Sequence, residues 1–242
     1  MNKENYNKRY MDYNRSLNPT DRYILNYLDQ SNIDVLEVGC GNGVFLDQLK
    51  NKLPYNRYYG CDFSEQGLKV TALKGIITTK VDLEYNLPYP NDSFEVVICS
   101  QTIEHVRNTD NLIKEIKRVL KKEGILIIST PNLASWYNRI LLLLFGMQPL
   151  FSEVSNENKN YGKGILKNSL SKEPAGHIRL FTFKALRDML LDNKFNILIS
   201  KTFSFSKGFI YMPPIIRQLD VILAKIGLGS DSLIIIKKNR FK

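Results

Sequence analysis

Cysteine is scarce in this chain, and histidine and tryptophan are scarcer: three, two and one residues respectively in 242. Cys40, Cys61 and Cys99 each close an apolar run, with no C-x-x-C or Cys/His spacing around them. Neither a disulfide framework nor a metal site is indicated, and the three read as small buried residues of a reduced, cytoplasmic protein. Long apolar runs are missing as well. The longest, Ile140–Phe145, is far short of a membrane span. Met1–Arg22 is polar and tyrosine-rich, unlike a secretory leader. The expectation is a chain without a transmembrane segment, with peripheral membrane contact left open.

Acidic residues are in the minority, and the net charge is +10. The excess is spread along the chain and is dense only at Lys237–Lys238 and Arg240–Lys242. A solvated lysine-rich surface is the plainer explanation. A basic contact to RNA, anionic lipid or a phosphorylated substrate is the alternative, with nucleic acid the less favoured partner. The length suits one α/β domain over residues 1–242.

What is present is a sharp organising motif. Val35, Leu36 and Val38 make a short apolar run, followed by Gly39, Gly41 and Gly43 at alternate positions and then a helical pattern, Val44–Leu49. Strand, glycine loop and helix form the start of a nucleotide-binding βα unit, in which glycine lets the backbone approach a ligand closely. A dinucleotide fingerprint needs its third glycine at position 44, which is Val here, and this counts against a nicotinamide-dependent oxidoreductase. A second strand, Arg57–Asp62, ends in an acid 19 residues beyond Gly43, where a carboxylate can accept from both ribose hydroxyls. Ser64 is placed to cap the next helix. A third strand, Ile76–Val81, closes on Asp82-Leu83, and Phe94–Cys99 forms a fourth. Leu112–Lys121 is predicted as an amphipathic helix capped by Thr109-Asp110-Asn111 and ended by Lys121, Lys122 and Gly124. Ile125–Ser129 is the fifth strand. Five strands alternating with helices make the class α/β.

The later chain is less regular. A helix is expected over Ala134–Phe145, a polar loop over Ser152–Ser171, and a helix over Lys184–Leu191 capped by Thr182. Phe195–Phe205 reads as a sixth strand, Ile215–Ile226 as an amphipathic helix and Leu233–Lys237 as the last strand. Near the start, Arg22–Leu28 is helical, with Pro19-Thr20 before it. Residues 1–30 then form an N-terminal helical cap, and 132–180 and 207–230 are insertions on the substrate side.

The E-x-G-x-G-x-G arrangement at Glu37–Gly43 resembles motif I of the class I S-adenosylmethionine (SAM) dependent methyltransferases. The Leu87–Val97 phrase, the Glu104-His105 segment and Gly176–Thr182 resemble the UbiE/UbiG-like group of that family. The resemblance implies a Rossmann-like, seven-stranded, mostly parallel sheet with helices on both faces, its antiparallel last strand inserted between the fifth and sixth. It implies SAM as cofactor, held by Glu37, Gly39, Cys40, Gly41, Gly43, Asp62, Phe63, Asp82, Leu83 and Ser100. Asp82 and Leu83 would meet the adenine, and Tyr6 and Tyr10 would help enclose the sulfonium. His105 and His177 are the candidate catalytic bases. Arg179, Gln101 and Tyr10 are the candidate substrate contacts, and no metal is expected. The acceptor is expected to be a small molecule, a lipid or a glycan, methylated on oxygen or carbon. A non-catalytic SAM-binding protein of the same fold is the rival.

Overall fold

The computed structural model describes residues 17–155, 157–168, 174–204 and 214–239. The run Asp34–Val38 forms β1, buried at every position, and this continuous burial puts it in the middle of a sheet rather than at an edge. Around it lie β2 (Arg57–Asp62), β3 (Ile77–Lys80), β4 (Phe94–Ser100), β5 (Leu120–Pro131), β6 (Phe195–Phe203) and β7 (Asp231–Lys238). The sheet order is β3-β2-β1-β4-β5-β7-β6. The first five strands are parallel, and β7 runs antiparallel to both β5 and β6. The class and topology expected from the resemblance are those observed.

Alternation along the strands divides the core into two layers. Leu36, Val38, Val97, Cys99, Leu126, Ile128, Ile234 and Ile236 face α4 (Thr109–Val119) and α6 (Phe183–Asp192). Val35, Val96, Ile98, Ile127, Leu233 and Ile235 face α1 (Pro19–Tyr27) and α2 (Val44–Lys52), joined by Leu68 of α3 (Glu65–Leu73). Two further helices are α5 (Trp136–Phe145) and α7 (Pro214–Lys225), the second packed against the edge strand β6, and they are linked by the Trp136 indole donating to Asp220 at 2.8 Å. Among the described residues no helix is long and apolar enough to cross a membrane. The cysteines are buried free thiols, and burial pushes Cys61 up to about 12.

Several helix boundaries differ from expectation: α5 begins at Trp136 rather than Ala134, with Ser135 as its N-cap, and two others have clear local causes. The first helix starts at Pro19, because Asn18 and Asp21 cap it reciprocally: each side chain accepts from the other's amide, at 2.7 and 3.1 Å. Helix α4 is capped by Asn108, not by Thr109-Asp110-Asn111, and it ends at Val119. Leu120 turns extended to pair with Phe94, so Lys121 and Lys122 belong to β5. The left-handed residue there is Glu123 (φ 64°). Gly124 instead permits a close approach, since a Cβ would lie 2.8 Å from the Lys121 carbonyl oxygen.

Asp21, Asp220 and Asp231 gather where α1 and α7 meet the ends of β5 and β7. Ser100 Oγ lies 3.3 Å from Asp21 Oδ1, and Gln101 Nε2 and Ser230 Oγ lie 3.5 Å from the Asp231 carboxyl. Burial first, then the Asp21 charge, pushes Asp231 up to about 7. A carboxyl raised in the folded state stabilises it only while protonated. That contribution is complete below the ordinary Asp range and is lost as pH rises through about 7. Asp231→Asn, which cannot ionise, should therefore nearly match wild type near pH 4 and exceed it by about 4 kcal/mol at pH 8. Denaturant melts at the two pH values test this; an equal offset at both would remove the titration as its cause.

Candidate active site

Three loops follow the carboxyl ends of β1, β2 and β4, on the side where open α/β sheets bind ligands. The first is the glycine loop. Gly39, Gly41 and Gly43 all have positive φ (76°, 55° and 70°). Its carbonyls turn back to α3: Thr71 donates to Gly41 and Lys74 to Asn42, at 3.1 and 2.7 Å. The second loop carries Asp62, which is 1% exposed. Its Oδ2 accepts from the Gly41 amide at 2.9 Å and its Oδ1 from the Ser64 amide at 2.8 Å, while Ser64 caps α3 through Gly67. Burial raises the Asp62 pKa, and these amides oppose the rise. The third loop runs from Gln101 (φ 53°) through Thr102 into a short 3-10 turn, Ile103–His105.

Together these loops line a cavity of about 630 Å³. Gly39, Asp62, Phe63, Asp82 and Leu83 form one part of its wall, and Gln101, Thr102, His105, Val106 and Arg107 another. A strap containing Gly176, His177 and Ile178 closes it together with Glu153–Ser155. Glu84 pins its rim by accepting from the amides of Arg107 and Asn108, at 2.8 and 3.0 Å. A cleft of about 710 Å³ between α5, α6, β6 and α7 includes Arg139, Lys184, Lys201 and Lys225, but none of the glycine loop.

The two histidines converge. Their ring centres are 5.0 Å apart. His105 Nδ1 lies 2.9 Å from the Gly176 carbonyl oxygen and His177 Nδ1 lies 2.9 Å from that of Phe151. In the neutral rings each Nδ1–H donates to its carbonyl, which leaves Nε2 as the basic nitrogen. The strap is fastened to the 3-10 turn by the Ile178 and Arg179 amides, both donating to the Glu104 carbonyl at 2.8 and 3.0 Å. Glu153 accepts from the Ala175 and Gly176 amides at 2.5 and 2.8 Å. Lys163, wholly buried, secures the polar loop by donating to the carbonyls of Pro149 and of Ser152.

Other expected residues sit apart from the cavity wall. Glu37 is buried within β1, and a Cβ on Gly60 would meet Cys40 Sγ at 2.7 Å, which places that thiol against β2. Gly41 and Gly43 shape the loop against α3: Gly67 packs on the Gly41 carbonyl and Thr71 on Gly43. Ser100 Oγ bonds Ser129 Oγ at 2.9 Å. The Arg179 guanidinium donates to the Arg107 carbonyl at 3.0 and 3.2 Å. Tyr6 and Tyr10 lie outside the described residues. Sequence inspection placed Glu104 in the Glu104-His105 segment but assigned it no role; its Oε2 accepts from Thr130 Oγ1 at 2.9 Å. That inspection missed that Glu104 shares a cluster with both histidines. The only signal was its place beside His105.

Residues 9–199 match the family described as a methyltransferase domain. Among curated proteins, the bifunctional methionine biosynthesis protein MetXA/MetW of Rhodopirellula baltica is 32% identical over 127 residues, covering 49% of this chain and 20% of that protein. A ubiquinone biosynthesis O-methyltransferase of Rickettsia prowazekii is 34% identical over 121 residues, covering 44% of this chain and 43% of that one. The chain thus spans less than half the length of these relatives. Among solved structures, a possible histamine N-methyltransferase of Thermotoga maritima superposes with a TM-score of 0.64 at 21% identity, covering 98% of this chain and 96% of that one. A SAM-dependent methyltransferase of Methanosarcina mazei gives 0.61 at 17% identity over 93% and 99%. At that identity the likeness is one of fold.

Proposed function

The chain belongs to the methyltransferase domain family, and from that premise we propose that it transfers the methyl group of S-adenosylmethionine to a small-molecule, lipid or glycan-type acceptor. One observation carries the reading: a single cavity has Gly39, Asp62 and Asp82 in its wall together with two convergent imidazoles. The donor set suits the cofactor. Asp62 accepts from the Gly41 and Ser64 amides and is also approached by the Phe63 amide, and a carboxylate has about four acceptor sites, which leaves one for a ribose hydroxyl. Phe63 and Leu83 offer apolar surface for adenine, and Asp82 an acceptor for its amino group.

When bound, the cofactor supplies an electrophilic methyl on a sulfonium and a neutral thioether leaving group. The chain's own task is to hold the acceptor in line and keep water out, and orientation of this kind can lower a barrier by roughly 7–11 kcal/mol. A hydroxyl acceptor held in line would take that methyl, with the C–S electron pair staying on the leaving thioether, and would give up its own proton. The proton leaves towards the His105 and His177 imidazoles. The O-methyltransferase relatives support oxygen as the atom methylated. Leu142–Phe145 of α5, with Ile215, Leu219 and Ile222 of α7, are exposed apolar residues. They support an acceptor with a lipid part.

Incubating the protein with methyl-tritiated SAM and a source-cell lysate, then separating lipid, glycan, RNA, protein and small molecules, tests the proposal. Label above a Gly41→Arg control is expected in the lipid, glycan or small-molecule fraction; label only in RNA or protein, or no label anywhere from protein that binds SAM, would overturn it. With the acceptor identified, His105→Ala should lower turnover about 10²–10³-fold and leave SAM affinity unchanged. Unaltered turnover would reduce His105 to an anchor for the strap.

A further inference from the structure

We infer that Glu104, His105 and His177 form a binding site for a divalent first-row metal ion in the wall of the active-site cavity. The Glu104 carboxylate and the two imidazoles each offer one donor atom, and the three atoms lie within 4.8 Å of one another. Two imidazoles and one carboxylate are a known donor set for zinc, iron and manganese, and they leave coordination positions open. Magnesium and calcium, which take oxygen ligands, fit it poorly.

The surroundings are those of a ligand set held in advance. A metal-binding histidine usually donates its other ring N–H to a carbonyl or carboxylate, which fixes tautomer and orientation. Both histidines have that arrangement, His105 on the Gly176 carbonyl and His177 on the Phe151 carbonyl. Glu104 is oriented in turn by the Thr130 hydroxyl. The backbone adds a clamp. The Glu104 carbonyl receives the amides of Ile178 and Arg179, so the turn carrying two donors is stitched to the strap carrying the third. Donors bound at about 2.1 Å in a tetrahedron sit about 3.4 Å apart, so side-chain rotations of about 1 Å close the site.

The inference deepens the methyltransferase reading and rests on it only for its consequence. With an ion in place the imidazoles act as ligands rather than bases, and an acceptor hydroxyl at an open position loses its proton more readily because the ion stabilises the oxyanion. The metal site itself stands on the geometry alone.

The test uses the whole chain, stripped with a chelator and titrated with Co²⁺ alone, without SAM. One equivalent should bind with visible d–d absorption of a nitrogen- and oxygen-ligated ion. His105→Ala and His177→Ala should each weaken binding by roughly 100-fold or more. Glu104→Gln, which keeps its volume and its acceptor for Thr130, should weaken it too. SAM affinity, measured in parallel by calorimetry, should be unchanged in all three and reports that each variant is folded. No Co²⁺ binding by wild type, binding unaffected by the variants, or a thiolate-to-cobalt charge-transfer band from the cysteines would each overturn the inference. SAM binding without Co²⁺ binding would sink the metal site and spare the methyltransferase reading; Co²⁺ binding at these residues without SAM binding would do the reverse.

Discussion

Asp62→Ala should weaken SAM binding by about 1.5–3 kcal/mol, the scale of hydrogen bonds to a charged group, and should also destabilise the fold. The second effect follows from what the carboxylate already holds. Its two oxygens accept from the Gly41 and Ser64 amides, one in the glycine loop and one at the start of α3. Alanine leaves both amides without that acceptor in a place where Asp62 itself is 1% exposed. Each stranded buried donor costs about 1–3 kcal/mol. Asp62→Asn should fall between wild type and alanine, because its carboxamide keeps one acceptor and turns a donor towards the other amide. Calorimetry with SAM and urea melts separate the two effects. Normal SAM affinity in a destabilised Asp62→Ala protein would take the residue out of the ribose site and leave it as the link between the two loops.

Much of this arrangement is legible in the sequence, and the reasons are local. β1 and β4 are mostly apolar runs because both sheet faces are covered, and Asp62 closes β2 at the spacing a parallel crossover requires. Ser64 and Thr182 announce their helices by side-chain chemistry, each accepting from the amide three residues on. The end of α4 was misjudged because Lys121, Lys122 and Gly124 imitate a helix terminus. Pairing between Leu120 and Phe94, a tertiary event, stops the helix earlier. The histidine cluster was illegible for another reason. Glu104 and His105 are neighbours, but His177 comes from a strap whose place is set by backbone bonds to the Glu104 carbonyl and by Glu153. No spacing rule encodes such a contact.

Gly39→Ala should destabilise the protein by about 3–4 kcal/mol, from left-handed strain and overpacking together. At φ 76° a side chain is strained whatever its surroundings, and here there is no space either. A Cβ on Gly39 would lie 2.4 Å from Thr102 Oγ1 and 2.5 Å from its Cγ2. Thr102 is itself fixed: it is buried, and its hydroxyl lies 3.2 Å from the Val38 and 3.1 Å from the Ser100 carbonyl oxygens. The loops that follow β1 and β4 therefore touch with nothing between them, and the cavity begins where they part. Thr102→Ala removes the two closest atoms, leaving its Cβ at 3.0 Å, but not the backbone strain. Combined with Gly39→Ala it should recover about 1–3 kcal/mol relative to the sum of the single changes. A double-mutant cycle by denaturant melts measures that coupling. Strict additivity would mean that glycine is required at 39 for its backbone angle alone, and that the close contact with Thr102 places no demand on the loop.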